Sequence, residues 1–451
     1  MTDKRRWSWL IFIGLLAYFL GMFAIYGLGV YNDSDQYIAM HIHREPLYPL
    51  YLALFRLIAG LERGLVAAAI VQNILTAVSI FALSEYLVER FSLKLSGELV
   101  LVGLFILPHL MTKYVSSLSI FLENSIMSEA LCIPLVQFFF FFLLRMLYEM
   151  KLRDAACSLI FAYLLSMTRS QMLVTLVIWV LGMMFVLFVR KQYKKIVLPL
   201  CAMVCVLGIR QLSVYTYNYF VTGYFMGNTY GQVTALSNVL YASDPEDREV
   251  FEEGSPEQML FDRLYDKASA MNANYRLVVN TDTGRTAHLE NCHDILKFQV
   301  IEPELAAYYE TFEGIDDYYE VNIMSDEMAG IMLVKLFPVC FRQWLFDYCL
   351  LCRCGFIRSI AVMNRFINWI ALGIYLAAAV LFLYMCRKDW KNPAVWLMGT
   401  AFLFIAGNVC VVSLTIMCLS RYMVYGFSLF YIALFLLGRE FLHQKTGHYF
   451  L

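Results

Sequence analysis

The chain has 451 residues, 61% of them hydrophobic and 16% charged, with a formal net charge of −1 and a mean hydropathy of +0.62. Soluble domains carry about a quarter charged residues, so this excess of apolar side chains does not fit inside water-soluble cores. A soluble multidomain enzyme, a disordered chain and a secreted disulfide scaffold are excluded, which leaves an all-α polytopic membrane protein in a lipid bilayer. No basic stripe with interleaved aromatics appears, so nucleic acid is not an expected partner.

Residues 1–6 end in Lys4, Arg5 and Arg6, and an apolar run follows to about residue 30. The run is too long for a signal peptide and reads as a retained first helix with a cytoplasmic amino end. Further spans are expected at roughly 64–86, 99–115, 128–148, 155–168, 171–189, 196–213, 364–386, 394–416 and 421–438, about ten in all. Alternation puts the basic connectors on one side: Arg90 and Lys94, Lys151 and Arg153, 190–195, 387–391, and Arg439 with Lys445. The positive-inside rule makes that side cytoplasmic.

Two segments on the opposite side are longer than a connector needs: 31–63 and 214–358. The second holds about 22 of the 36 acids and about 10 of the 35 bases, as expected of one large acidic loop domain facing outward. Helices are predicted in it near 255–273 and 294–312, and an interfacial or re-entrant helix pair at 331–357, where charges interrupt the apolar run. The organisation is then an N-terminal transmembrane module (1–213), an extracytoplasmic loop domain (214–358) and C-terminal helices with a cytoplasmic tail (359–451). His288, Cys292 and His293 read as residues of a solvated loop, and Cys349, Cys352 and Cys354 have metal-like spacing without a fourth ligand.

The chemistry-bearing residues sit where apolar runs meet the outward side. Asp33 and Asp35 follow the first span, and such a pair can take a proton from an attacking hydroxyl or share a divalent cation, Mg or Mn. Acids beside a helix end are otherwise solvated loop residues. Glu123 and Glu129 flank the outer start of the fourth span. The helix macrodipole alone accommodates an acid there, but Glu129 opens directly into hydrocarbon and needs a cavity to face. Arg169 joins two spans and Arg421 opens the last one; a guanidinium at such a place binds phosphate oxygens bidentately or snorkels to the interface. Asn32-Asp33-Ser34 is formally a glycosylation sequon, and its position on this loop favours a prokaryotic membrane.

The first loop reads Asp33-Ser-Asp35-Gln-Tyr37-Ile-Ala39, then Arg44-Glu-Pro-Leu-Tyr-Pro49, the latter starting an amphipathic helix on the membrane. Together these resemble the first extracytoplasmic loop of the GT-C superfamily of membrane glycosyltransferases, in the group of protein mannosyltransferases and aminoarabinose transferases. The resemblance covers roughly 1–213 and 331–438, and Ser420-Arg421-Tyr422 resembles the Arg-Tyr that opens the last helices of relatives. It implies inverting transfer of a sugar from a polyprenyl-phosphate donor to a cell-envelope glycan, lipid or protein acceptor, outside the cell membrane. Asp33, Asp35 and Glu129 become the catalytic acids, with Asp33 the general base and Asp35 orienting the acceptor or sharing the cation with Asp33. Arg169, Arg421 and Arg44 become the donor-phosphate ligands, and Glu123, Tyr37 and Arg210 are further candidates. The rival is a flippase, transporter or polymerase-like component, which would use the same arginines without the acid pair. No internal or inverted repeat supports it.

Overall fold

The computed structural model describes residues 3–31, 33–115, 119–278 and 284–448. Asn32 of the sequon lies outside them. The chain is all-helical among these residues and divides into two units: 1–217 with 356–408 and 420–451, and 218–355 with 409–419.

The first unit opens with α1 (Asp3–Tyr26), the one-turn α2 (Ser34–Ile38) and α3 (Leu47–Ala59). Then come α4 (Leu61–Phe91), α5 (Leu95–Tyr114), α6 (Ser128–Glu149), α7 (Leu152–Ser166), α8 (Val174–Val189) and α9 (Val197–Thr222). Among the described residues nine helical segments are long and apolar enough to cross a membrane. Six precede residue 223, and the others are Arg365–Asp389, Pro393–Thr415 and Ser420–Thr446. The tenth expected span, 155–168, corresponds to α7, whose 15 residues rise only about 22 Å. It falls short of a crossing by length, yet it packs back along α6. Arg145 of α6 meets Asp154 at one end of the pair (3.2 Å), and Arg169 meets Glu129 at the other (2.7 Å).

α3 is the most amphipathic helix of this unit. Leu50, Leu54, Leu57 and Ile58 form an exposed stripe, while Tyr48 and Leu52 are buried against α4. The fold-back between the two helices depends on glycine. Gly60 adopts φ 77, a left-handed conformation that costs a side-chain-bearing residue, and a Cβ on Gly64 would stand 2.7 Å from the Arg56 Cα and the Phe55 carbonyl oxygen.

The second unit contains α10 (Gly231–Tyr241), α11 (Pro256–Ala270), α12 (Gly284–Ile295), α13 (Glu302–Thr311) and most of α14 (Tyr318–Ile360). A π-helical turn, Leu296–Ile301, joins α12 to α13. Leu240, Phe261, Leu264, Leu296, Leu305 and Leu336 form its core. Two expectations are corrected here. The segment 331–357 is not a helix pair: α14 runs unbroken for 43 residues through Pro338, and Asp347 is neutralised by a two-pronged bond from Arg285 (2.7 and 2.8 Å). The 288–293 segment is not a solvated loop: it is helical, with Cys292 and His293 buried and the Tyr241 hydroxyl 2.8 Å from His288 Nδ1. Charge interruption and local polarity misled because paired or hydrogen-bonded polar groups are tolerated inside a core. The chain continues through α15 (Arg365–Asp389), α16 (Pro393–Thr415), α17 (Ser420–Met423) and α18 (Phe427–Thr446).

The α3–α4 fold-back gives a direct test. Gly64→Ala should destabilise the protein by about 1–3 kcal/mol, because the new methyl meets backbone that cannot swing away. Thermal unfolding in detergent measures it, and an unchanged midpoint would refute the close contact.

Candidate functional site

Residues from four places in the first unit converge at one end of the bundle. The extended strand-like pairing of Gly29 with Ser125 brings the first loop against the turn before α6: the Ile126 amide donates to the Gly29 carbonyl (2.9 Å) and Ser34 Oγ donates to the Ile126 carbonyl (2.8 Å). This places Asp33 and Glu129 near each other. Asp33 occupies the N-cap position of α2 but spends no side-chain bond on capping. Its Oδ1 accepts from Arg44 (2.8 Å) and its Oδ2 from Arg421 (3.1 Å).

Glu129 lies in the first turn of α6, where the helix dipole favours a carboxylate, and its side chain is only 2% exposed. Arg169 sits 2.7 Å from one oxygen and Arg421 sits 3.7 Å from the other. Arg169 also donates to Ser128 Oγ (3.0 Å). Tyr422 completes the group: its ring centre is 4.8 Å from the Arg169 guanidinium and 4.9 Å from that of Arg421, and its hydroxyl accepts from Arg421 (2.9 Å). Tyr37 links the loop to α6, since its hydroxyl lies 2.9 Å from Ser128 Oγ and 3.2 Å from Arg44, whose guanidinium covers its ring.

The result is a ring of three guanidiniums and two carboxylates, partly open to solvent. Its summed charge is one positive, so it is built to attract an anion. Burial works against the ionisation of Asp33, but Arg44 and Arg421 beside it, with Arg169 further off, hold its carboxyl below the usual range.

Of the residues singled out in the sequence, Asp33, Arg44, Glu129, Arg169, Arg421 and Tyr37 meet here. Asp35 does not: it is exposed on the outer side of α2, while Asp33 turns inward. Both Asp33 oxygens are taken by guanidiniums. No group of three or more potential metal ligands occurs among the described residues, Cys349, Cys352 and Cys354 included. Arg210 stands apart from the ring. It pairs with Glu45, which also accepts from Ser170 (2.8 Å), and so ties the first loop to the α7–α8 joint. Glu123 turns away as well, to His109 of α5 (3.2 Å). Ser128 and His109 were missed as site or site-supporting residues, and Tyr422 was read only as part of the Arg-Tyr motif. An ionisable His109 within an apolar span, and an aromatic neighbour of a candidate arginine, were the available signals.

Comparisons with protein-family models, with curated proteins and with solved structures found no match.

The ring predicts a sharp contrast between its acids. Removing one partner of a buried ion pair strands the other charge, so Glu129→Leu should cost about 3–5 kcal/mol. Asp35→Asn should stay within about 0.5 kcal/mol of the parent. Equal unfolding midpoints for the two variants would contradict the burial of Glu129.

Proposed function

We propose that the protein is a membrane glycosyltransferase that moves a sugar from a polyprenyl-phosphate donor to a hydroxyl of a cell-envelope acceptor. The observation that carries the reading is the ring of three arginines around two acids, with one net positive charge. A polyprenyl-phosphate sugar is a phosphodiester with one negative charge, so it neutralises that excess. Its leaving group is a phosphate monoester that gains a second charge as the glycosidic bond breaks, and preorganised guanidiniums stabilise charge that develops in this way.

In this reading the acceptor oxygen attacks the anomeric carbon from the side opposite the phosphate. The bond from that carbon to the phosphate oxygen breaks, polyprenyl phosphate leaves with the electron pair, and Asp33 takes the acceptor's proton. Inversion follows from a single displacement. The free site holds Asp33 as a weak base because two guanidiniums share its oxygens. A phosphate bound to Arg421 and Arg169 draws Arg421 away and raises the proton affinity of Asp33. Donor binding thereby prepares the base, and the donor binds before the acceptor. Glu129 keeps the two phosphate arginines at a fixed separation, and Arg44 keeps Asp33 oriented once Arg421 has left it. No step passes through a cation. The site faces away from the basic connectors, which by the positive-inside rule makes it extracytoplasmic and the amino end cytoplasmic.

The test is transfer of label from radiolabelled polyprenyl-phosphate sugars to an envelope extract by protein in nanodiscs. Asp33→Asn should lower turnover by about 10²–10⁴. Donor affinity should hold or tighten, because two guanidiniums lose a competing carboxylate. Arg421→Lys should weaken the donor instead. Unchanged transfer by Asp33→Asn would refute the base. Loss of transfer in EDTA would refute the cation-free course. Saturable donor binding without transfer by the parent would turn the reading to a protein that handles lipid-linked phosphate without chemistry.

A further inference from the structure

The turn that carries Ser128 and Glu129 to the site rests on a second buried acid. Glu123, in the 3₁₀ turn Leu122–Asn124, is 3% exposed, and its carboxylate lies 3.2 Å from His109 Nε2. The far nitrogen of that imidazole is 2.9 Å from the Tyr18 hydroxyl, and the ring stacks on Phe121 at 4.4 Å. Among the described residues the acid's ion-pair partner is this imidazole, not a guanidinium. The titratable and charged groups among the described residues of the elements around the acid include Tyr18 and Tyr26 of α1, Tyr31 of the first loop, His109, Lys113 and Tyr114 of α5, and Tyr425 ahead of α18. Lys113 donates to the Ser119 carbonyl (3.0 Å). α4 presents only the neutral Gln72, Asn73 and Thr76 here. A small cavity of about 40 Å³ beside the pair is lined mostly by apolar side chains, with Thr76, Thr112, Gln137 and Ser428 among them, and has room for water.

The same turn is bonded to both halves of the site. The Glu123 carbonyl accepts from Gln72 (3.2 Å) and Asn73 (3.0 Å), and Gln72 accepts from Tyr48 (3.0 Å), whose ring packs edge-on against Tyr37 at 5.1 Å. Two residues further on, Ser125 and Ile126 pair with Gly29 and hold Ser34, next to Asp33. A shift at Glu123 therefore moves Ser128 and Glu129 through the backbone, and Tyr37 and Asp33 through side chains.

We infer that Glu123 and His109 share one proton and, while they hold it, act as a clamp that positions both acids of the ring. With the proton in place the pair is neutral overall and belongs inside the bundle. Without it a carboxylate faces neutral imidazole, hydroxyls and amides, and the turn must open to let it reach water. Burial pushes Glu123 up to about 8, which sets where this occurs. The sign follows from linkage. Because the folded state holds the proton more tightly than the unfolded chain, the stabilisation is complete below the ordinary carboxyl range and is lost as pH rises through about 8. Both residues are positioning residues, with no part in the chemistry.

The experiment uses the full chain in nanodiscs between pH 6.5 and 9. One readout is amide hydrogen exchange, corrected for intrinsic rate, at 119–129. The other is binding of a short-chain isoprenyl phosphodiester of glucose, which keeps a single charge over this range. Protection of the Ser125 and Ile126 amides should fall above pH 8 in the parent and stay level in Glu123→Gln. Probe affinity should drop by about tenfold across the same window in the parent alone. Exchange in the parent that is flat across pH 8 overturns the clamp, with no variant needed. So do parallel pH profiles for parent and Glu123→Gln. The link to the site rests on the phosphate reading, and the two fail separately. A pH-dependent change in protection with no probe binding upholds the clamp and removes the phosphate ligand.

Discussion

The structure of the first unit turns on one carboxylate. Glu129 lies at the mouth of an apolar helix with both oxygens directed at guanidiniums, one from the joint after α7 and one from α17. Buried ion pairs are poor stabilisers, because desolvation offsets most of their attraction, but they penalise every arrangement that leaves a charge alone. Here that penalty fixes three chain segments that are far apart in sequence. Arg421 then reaches Asp33, which brings the first loop into the same arrangement.

Two buried acids six residues apart are accommodated in opposite ways. Glu129 faces guanidiniums, whereas Glu123 faces an imidazole and neutral groups and is stable with a proton shared. The site thus combines a centre built from ion pairs with a support built on a single shared proton. Tyr422 and Tyr37 serve the charged part. Their rings cover guanidiniums that would otherwise need water, which lets three cations stand close together while one face stays free for a ligand.

The spans were legible because hydrocarbon leaves few compositional options, and the acids and arginines of the ring were legible because charges at the ends of such spans are costly. Partner choice was not. Asp33 and Asp35 look equivalent in sequence, but on a single helical turn residues two apart point about 200° from each other, so only one faces inward. Glu123 and Glu129 likewise flank one helix start and find different partners. His109 was hidden in an apolar run, and the continuous α14 was obscured because Arg285, the counter-charge of its Asp347, lies more than sixty residues away. Pairings of this kind are set by tertiary contact, to which hydropathy is blind.

The shortness of α7 has a mechanical consequence. A helix rising about 22 Å runs back along α6 and is shorter than the about 30 Å of a hydrocarbon layer. Arg169, just beyond its end, is therefore drawn inward, and with it the whole charged ring. Hydrophobic mismatch at this one element is relieved by local thinning of the bilayer or by sinking of the ring below the headgroups. Acyl-chain length then becomes a variable of the site, setting how deep its arginines stand in the lipid.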